Sequence, residues 1–203
     1  LLEKPVADFV IGAGQYKANM SQALDSQIAY EIFRHNAVLS ARKRNISVSE
    51  MRATSRAALP LLGGGRFHLI YIDGGHSYDD ARFDITECHR LLAAGGIMCG
   101  DDLELQAHQC DMEFLAASKG ADYITDAEDR GLHPGVTLAV HEFFGTVSVF
   151  DGFWAMRKCS GGGYEPVDFQ GATGILPGHW PEEFQAQARA CVTESQSLGV
   201  LMA

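Results

Sequence analysis

Through the middle of the chain, short apolar runs alternate with stretches whose apolar residues recur at helical spacing. That alternation predicts an α/β fold with a parallel sheet covered by helices. Phe67 to Ile72 is a nearly continuous apolar run closed by Asp73, the pattern of a strand buried on both faces. After the turn Gly74-Gly75-His76, Ser77 can cap a helix with Asp80 three residues on. Tyr78, Ala81, Ile85, Cys88, Leu91 and Leu92 then form one apolar stripe, which Gly95-Gly96 ends. Ile97 to Cys99 is a second short buried strand leading into Gly100-Asp101-Asp102. Strand, helix and strand together make a βαβ unit, a connection that is right-handed in nearly all cases.

The flanks are patterned less strongly. Val6 to Ile11 reads as a strand, Ile28 to Ser40 as a helix carrying Ile28, Ile32, Val38 and Leu39, and Ile46 to Met51 as an alternating strand. Ser55 to Leu62 fits a short helix stopped by Gly63-Gly64-Gly65. Downstream, Val136, Ala139, Val140, Phe143 and Phe144 set a helical stripe after Pro134-Gly135. Val147 to Phe150 and Phe153 to Met156 predict an antiparallel closing hairpin around Asp151-Gly152. Residues 160–203 form a Gly- and Pro-rich, irregular C-terminal extension in which only Glu182 to Ser195 looks helical.

Composition narrows the class. With 203 residues, 46% hydrophobic and 21% charged, the chain has the balance of a single globular domain over residues 1–203. No apolar run approaches the roughly 20 residues of a membrane helix and no signal-peptide pattern is seen, so a cytoplasmic protein without a membrane partner is expected. A net charge of −10 argues against general nucleic-acid binding; the short basic cluster Arg42-Lys43-Arg44 reads as a solvated helix end. Five widely spaced cysteines with no C-x-x-C pair suggest neither a disulfide framework nor a thiolate zinc site. Trp154, Trp180 and the apolar end at Leu198 to Met202 are candidates for covering a partner in a homo-oligomer.

The candidate chemistry lies at the strand ends, because open parallel sheets bind ligands beyond the carboxyl ends of their strands. Asp73 and Asp101-Asp102 end two strands expected to be neighbours, so three carboxylates can converge. Such a cluster suits a hard divalent cation such as Mg²⁺. The simpler alternative has Asp73 capping the next helix, Asp101 binding turn amides and Asp102 solvated. His76, three residues after Asp73, faces the same crevice and can serve as a general base or be only a polar loop residue. His133-Pro134-Gly135 can reach the site from a long loop, although Pro and Gly as helix-start punctuation is the simpler reading. Gly12-Ala13-Gly14 is a weak sign of a cofactor turn.

Leu69-Ile70-Tyr71-Ile72-Asp73-Gly74-Gly75-His76-Ser77-Tyr78, then Gly95-Gly96-Ile97 leading to Gly100-Asp101-Asp102, then Gly135 to Phe144, resemble the class I S-adenosylmethionine-dependent methyltransferases. They resemble in particular the small-molecule O-methyltransferase branch with an I-D-G-x-H-x-Y motif. Phe33-Arg34-His35-Asn36 and Ala53 to Pro60 fall where that branch has its F-x-x-N helix and G-x-S-x-x-x-L-P turn. The resemblance covers roughly residues 28 to 158. It implies a Rossmann-like methyltransferase sheet, mostly parallel with an antiparallel closing hairpin and helices on both faces. It also implies S-adenosylmethionine as cofactor and a small-molecule hydroxyl as methyl acceptor. By the same resemblance Asp73, Asp101 and Asp102 hold Mg²⁺ or a similar divalent metal, and His76 takes the substrate proton. Ser55, Arg56, Asp73 and Gly74 would contact the cofactor, with Arg56 standing where a polar residue is commoner. The family's glycine-rich first turn is expected upstream of Leu1, with Phe9 to Gly14 as the second-strand region. Two other readings stay open: a metal-dependent hydrolase on a similar sheet, and a non-catalytic binding domain.

Overall fold

The computed structural model describes residues 28–169, 182–183 and 185–186. The strand expected at Val6 to Ile11, the Gly12 turn, Trp180 and the end at Leu198 to Met202 lie outside the described residues. The chain divides after Arg52 into two compact units.

In the first unit, helix α1 spans Ile28–Arg44, running past the predicted end at Ser40. Asn45 ends it at φ 51, a left-handed conformation that Asn adopts more readily than most residues, and the Ile46 amide donates back to the Ala41 carbonyl at 3.2 Å. Arg34 pairs with Glu50 at 3.2 Å, and the Arg52 guanidinium lies 4.6 Å over the Tyr30 ring. The strand expected at Ile46 to Met51 does not form. It meets no pairing strand among the described residues, and Ile46, Val48 and Met51 are exposed.

The second unit opens with a short helix α2 (Ser55–Ala58), which tightens into a 3₁₀ turn at Leu59–Leu61 because Pro60 has no amide to continue it. Strand β1 (Phe67–Ile72), helix α3 (Tyr78–Leu91) and strand β2 (Leu92–Leu103) are the predicted βαβ unit. The Ser77 hydroxyl caps α3 by accepting from the Asp80 amide. Asp79 and Asp80 sit in its first turn and Arg90 in its last, charges favourable to the helix dipole. The helix stops at Leu91, before the Gly95-Gly96 end expected for it, because its final carbonyls are satisfied from outside. The Gly65 and Arg66 amides donate to Arg90 and Leu91 at 3.0 and 2.9 Å, and the Lys158 ammonium donates to His89 and Leu92 at 2.6 and 3.0 Å. Leu92 belonged to the apolar stripe because it is buried, although its backbone is already extended.

β1 pairs parallel to β2 from Leu69↔Ile97 to Ile72↔Gly100, with Ala93–Gly96 looped out of register before that ladder. Among the described residues β1 is covered on one face: Ile70 and Ile72 turn to the core, while Phe67, Leu69 and Tyr71 point away from it. The closing hairpin is β5 (Ser148–Phe150) and β6 (Gly152–Lys158). Its turn residues Asp151 and Gly152 take φ 49 and 83, the two positive values that match the twist of a two-residue turn. β6 lies antiparallel to β2, giving the order β1-β2-β6-β5. A further strand β7 (Tyr164–Pro166), drawn from the tail read as irregular, also pairs with β6. The result is the expected mixed α/β architecture. Among the described strands of this sheet, the parallel ladder is the one between β1 and β2.

Helix α5 (Pro134–Phe144) and α3 supply Val136, Ala139, Val140, Ile85 and Cys88 to a core closed by Met98, Trp154 and Met156 from the sheet. Each large side chain buried there contributes on the order of 1.5–3 kcal/mol. Trp154, a candidate for a partner surface, is instead 1% exposed, because residue 154 faces α5 in the β6 alternation. Between β2 and α5 the chain builds a smaller cluster of Ala107, Leu115 and Leu132. It is carried by α4 (Met112–Ser118) and a two-strand hairpin of β3 (Ile124–Thr125) and β4 (Gly131–Leu132). Asp126 folds the hairpin loop, its Oδ1 accepting from the Glu128 and Arg130 amides at 2.9 Å each.

Candidate active site

The site forms where β1 and β2 end. Asp73 to His76 make the turn from β1 to α3, and the start of α5 lies directly against it. A β-carbon on Gly135 would stand 2.3 Å from the His76 carbonyl oxygen and 2.4 Å from the Tyr78 amide nitrogen, so only glycine permits this approach. β2 carries a bulge at its end: its register slips between Gly100↔Trp154 and Leu103↔Gly152, placing an extra residue opposite β6. Asp102 takes up that extra length at φ 65. The bulge aims the two adjacent aspartates differently. Asp101 accepts from the Tyr71 hydroxyl at 3.3 Å and from the Asp102 amide at 3.1 Å, whereas Asp102 meets two imidazoles.

His76 Nε2 lies 3.2 Å from Asp102 Oδ2, and its Nδ1 lies 2.7 Å from Asp122 Oδ1. His133, the residue preceding α5, sits with its ring 4.5 Å from that of His76 in an edge-on contact. Its Nδ1 is 2.8 Å from Glu104 Oε1 and 3.7 Å from Asp102 Oδ1. Tyr123 packs on the other side of the His133 ring at 5.1 Å. His76, Asp102 and His133 each offer a ligand atom, all within 4.8 Å of one another.

Burial pushes the Asp102 carboxyl above its usual range, the neighbouring His133 and His76 pull it back, and Asp101 and Glu104 push it up again. The Tyr71 phenol is pushed up to about 12, first by loss of water at its hydroxyl and then by the charges of Asp101 and Asp73, although half of the side chain is exposed. It therefore remains a hydrogen-bond donor at any ordinary pH. Asp73, Gly74, His76, Asp101, Asp102 and Trp154 all line one cavity of about 20 Å³, room for a single water. The Trp154 indole Nε1 is buried and has no hydrogen-bond partner among the described residues.

The predicted residues thus divide. Asp73, Gly74, His76, Asp101 and Asp102 come together at the cavity. Ser55 and Arg56 stand at α2 instead: the Ser55 hydroxyl donates to Asp84 Oδ2 at 3.2 Å, and Arg56 pairs with Asp80 at 3.1 Å. Asp84 is buried, its Oδ1 has no partner, and burial raises its carboxyl. Of the metal set Asp73, Asp101 and Asp102, only Asp102 joins the His76 and His133 group. Asp122 and Glu104 carry no signal in the sequence, and His133 stood open there between reaching the site from a long loop and marking the helix start. The available signal for His133 was its place directly before Pro134-Gly135, on the same helix start that abuts the His76 turn.

An α/β sheet that gathers carboxylates and imidazoles beyond its parallel strand ends has the ligand-binding edge of an α/β enzyme. Residues 11–103, a little under half of the chain, match the family model described as a methyltransferase domain. No curated protein and no solved structure matches the chain. The family match supports a class I S-adenosylmethionine-dependent methyltransferase, and the mixed α/β architecture is consistent with the Rossmann-like fold of that class. The matched range takes in β1, α3 and β2 with Asp73, His76, Asp101 and Asp102. Among the described residues, no helix is long and apolar enough to cross a membrane.

Proposed function

We propose that the protein transfers the methyl group of S-adenosylmethionine to a hydroxyl of a small molecule, with His76 as general base. The observation that carries this reading is the fixed orientation of His76. With the Nδ1 proton donated to Asp122 at 2.7 Å, Nε2 is the nitrogen that accepts the substrate proton beside the cavity of Asp73 and Asp101, and Asp102, 3.2 Å from Nε2, faces the charge that results. Nε2 takes the hydroxyl proton as the substrate oxygen forms its bond to the methyl carbon. The carbon–sulfur bond breaks in the same displacement, and its electrons stay on sulfur, which leaves as a neutral thioether.

The donor set also fits a divalent cation: three carboxylates line one small cavity, and Asp102 is buried enough for its charge to be disfavoured without a positive neighbour. Such an ion, when bound, supplies charge that lowers the pKa of the substrate hydroxyl. Tyr71 holds the Asp101 carboxylate in place, and the turn from Asp73 to His76 is clamped by the start of α5. The family match favours methyl transfer over the hydrolase reading, since both would use the same carboxylates. A general base beside a carboxylate cavity suits an acceptor that must lose a proton, and a hydroxyl is the acceptor proposed.

The test is transfer of labelled methyl from S-adenosylmethionine to a panel of hydroxyl compounds, with and without EDTA, by the parent protein, His76→Ala and Asp101→Asn. His76→Ala is expected to lose about 10²–10⁴-fold in rate with its fold intact, and EDTA and Asp101→Asn are expected to slow the parent reaction. Activity indifferent to all three changes would sink the proposal. S-adenosylhomocysteine should raise the melting temperature in proportion to its occupancy.

A further inference from the structure

We infer that His76, Asp102 and His133 form a binding site for a borderline transition-metal ion such as Zn²⁺, distinct in donor chemistry from a carboxylate site for Mg²⁺. Two imidazoles and one carboxylate are a nitrogen-rich set that suits Zn²⁺, Ni²⁺ or Co²⁺ and not the all-oxygen shell that Mg²⁺ requires.

The geometry points the same way. A tetrahedral zinc with bonds of about 2.0–2.1 Å places its ligand atoms about 3.3 Å apart. His76 Nε2 and Asp102 Oδ2 are already 3.2 Å apart, and His133 Nδ1 is 3.7 Å from Asp102 Oδ1. With the His76 proton held on Nδ1 by Asp122, Nε2 and the Asp102 carboxylate face each other as two acceptors. Only a cation between them, a proton or a metal ion, makes that contact favourable. Asp122 on the Nδ1 of His76 is an outer carboxylate of the kind that orients a metal-binding imidazole and raises its basicity, leaving Nε2 for the ion. The two histidines also come from independent segments, the β1–α3 turn and the start of α5, which Gly135 holds in contact. The site therefore does not depend on one flexible loop.

The functional consequence rests on the methyl-transfer reading: a zinc ion on Nε2 of His76 takes the lone pair that the base needs. Zn²⁺ is then an inhibitor of a reaction that a harder ion supports, since the two sites share His76 and Asp102 but differ in donor type.

The experiment titrates the full, untagged chain with Zn²⁺ against a chromophoric chelator, with Mg²⁺ in large excess as competitor. Binding of one equivalent is expected to survive the Mg²⁺ and to weaken at least tenfold in His133→Ala and in His76→Gln, each checked for retained fold by circular dichroism. Should His133→Ala fail to fold, His133→Gln and His76→Gln carry the comparison. Absence of one-to-one binding, or equal affinity in parent and folded variants, would overturn the site. Because this readout is metal binding alone, it stands or falls separately from methyl transfer, which the labelled-methyl assay decides.

Discussion

Asp101 and Asp102 differ by one position in sequence and by everything in environment. One is tied to the Tyr71 hydroxyl, and the other is partly buried beside two imidazoles. The acidic pair was legible as a strand end, but the division of labour was not, because it follows from a bulge that only pairing with β6 creates. Asp122 was hidden for a related reason: it lies 46 positions from His76, in a segment with no periodic pattern of its own. His89 supports a prediction at this scale. Its ring packs on Phe143 and contacts the Tyr164 hydroxyl at 3.0 Å, and burial first, with Lys158 second, lowers its pKa below the ordinary 6.5. The unfolded chain then takes up a proton that the folded chain resists. Stability from this residue is full above pH 6.5 and is lost as the pH falls through the lowered value. Denaturant unfolding at pH 7 and pH 5 is expected to show a smaller acid loss in His89→Gln than in the parent; equal losses would contradict the assignment.

At the scale of elements, the βαβ unit was readable because its signals are local: the apolar run of β1, the Ser77 cap and the stripe of α3. What failed were inferences about neighbours. Phe67, Leu69 and Tyr71 are as apolar as Ile70 and Ile72, and nothing in the run itself says which alternate set meets α3 and α5. Leu92 looked helical because burial, not backbone, puts a leucine in a stripe. Element contacts also set the site, and Gly135 is the place to test this. Gly135→Ala puts a methyl into the His76 and Tyr78 backbone, which must move. A stability loss of about 1–3 kcal/mol is expected, together with a fall in methyl transfer larger than the unfolded fraction explains. Thermal melts and the labelled-methyl assay on one preparation separate the two effects.

At the scale of the second unit, the larger core joins α3, α5 and the sheet around the buried Trp154. Trp154→Ala is expected to cost about 3–5 kcal/mol in denaturant unfolding, and Trp154→Phe only about 1–2, since the indole N–H has no partner to lose. A phenylalanine variant as unstable as the alanine one would show that the N–H is engaged after all. The fold class was legible from the alternation of elements. The placing of β6 beside β2 was not, because antiparallel closure brings together residues 49 to 60 positions apart. The Asp151-Gly152 turn bears on that closure. Its two left-handed residues let β5 and β6 zip as a local hairpin, an event of about 1–10 μs. The far longer loop between β2 and β6 must still be closed at its entropic cost. A preassembled hairpin presents β6 to β2 as a formed edge, so the slow search for long-range partners is made by one rigid surface and not by two separate strands.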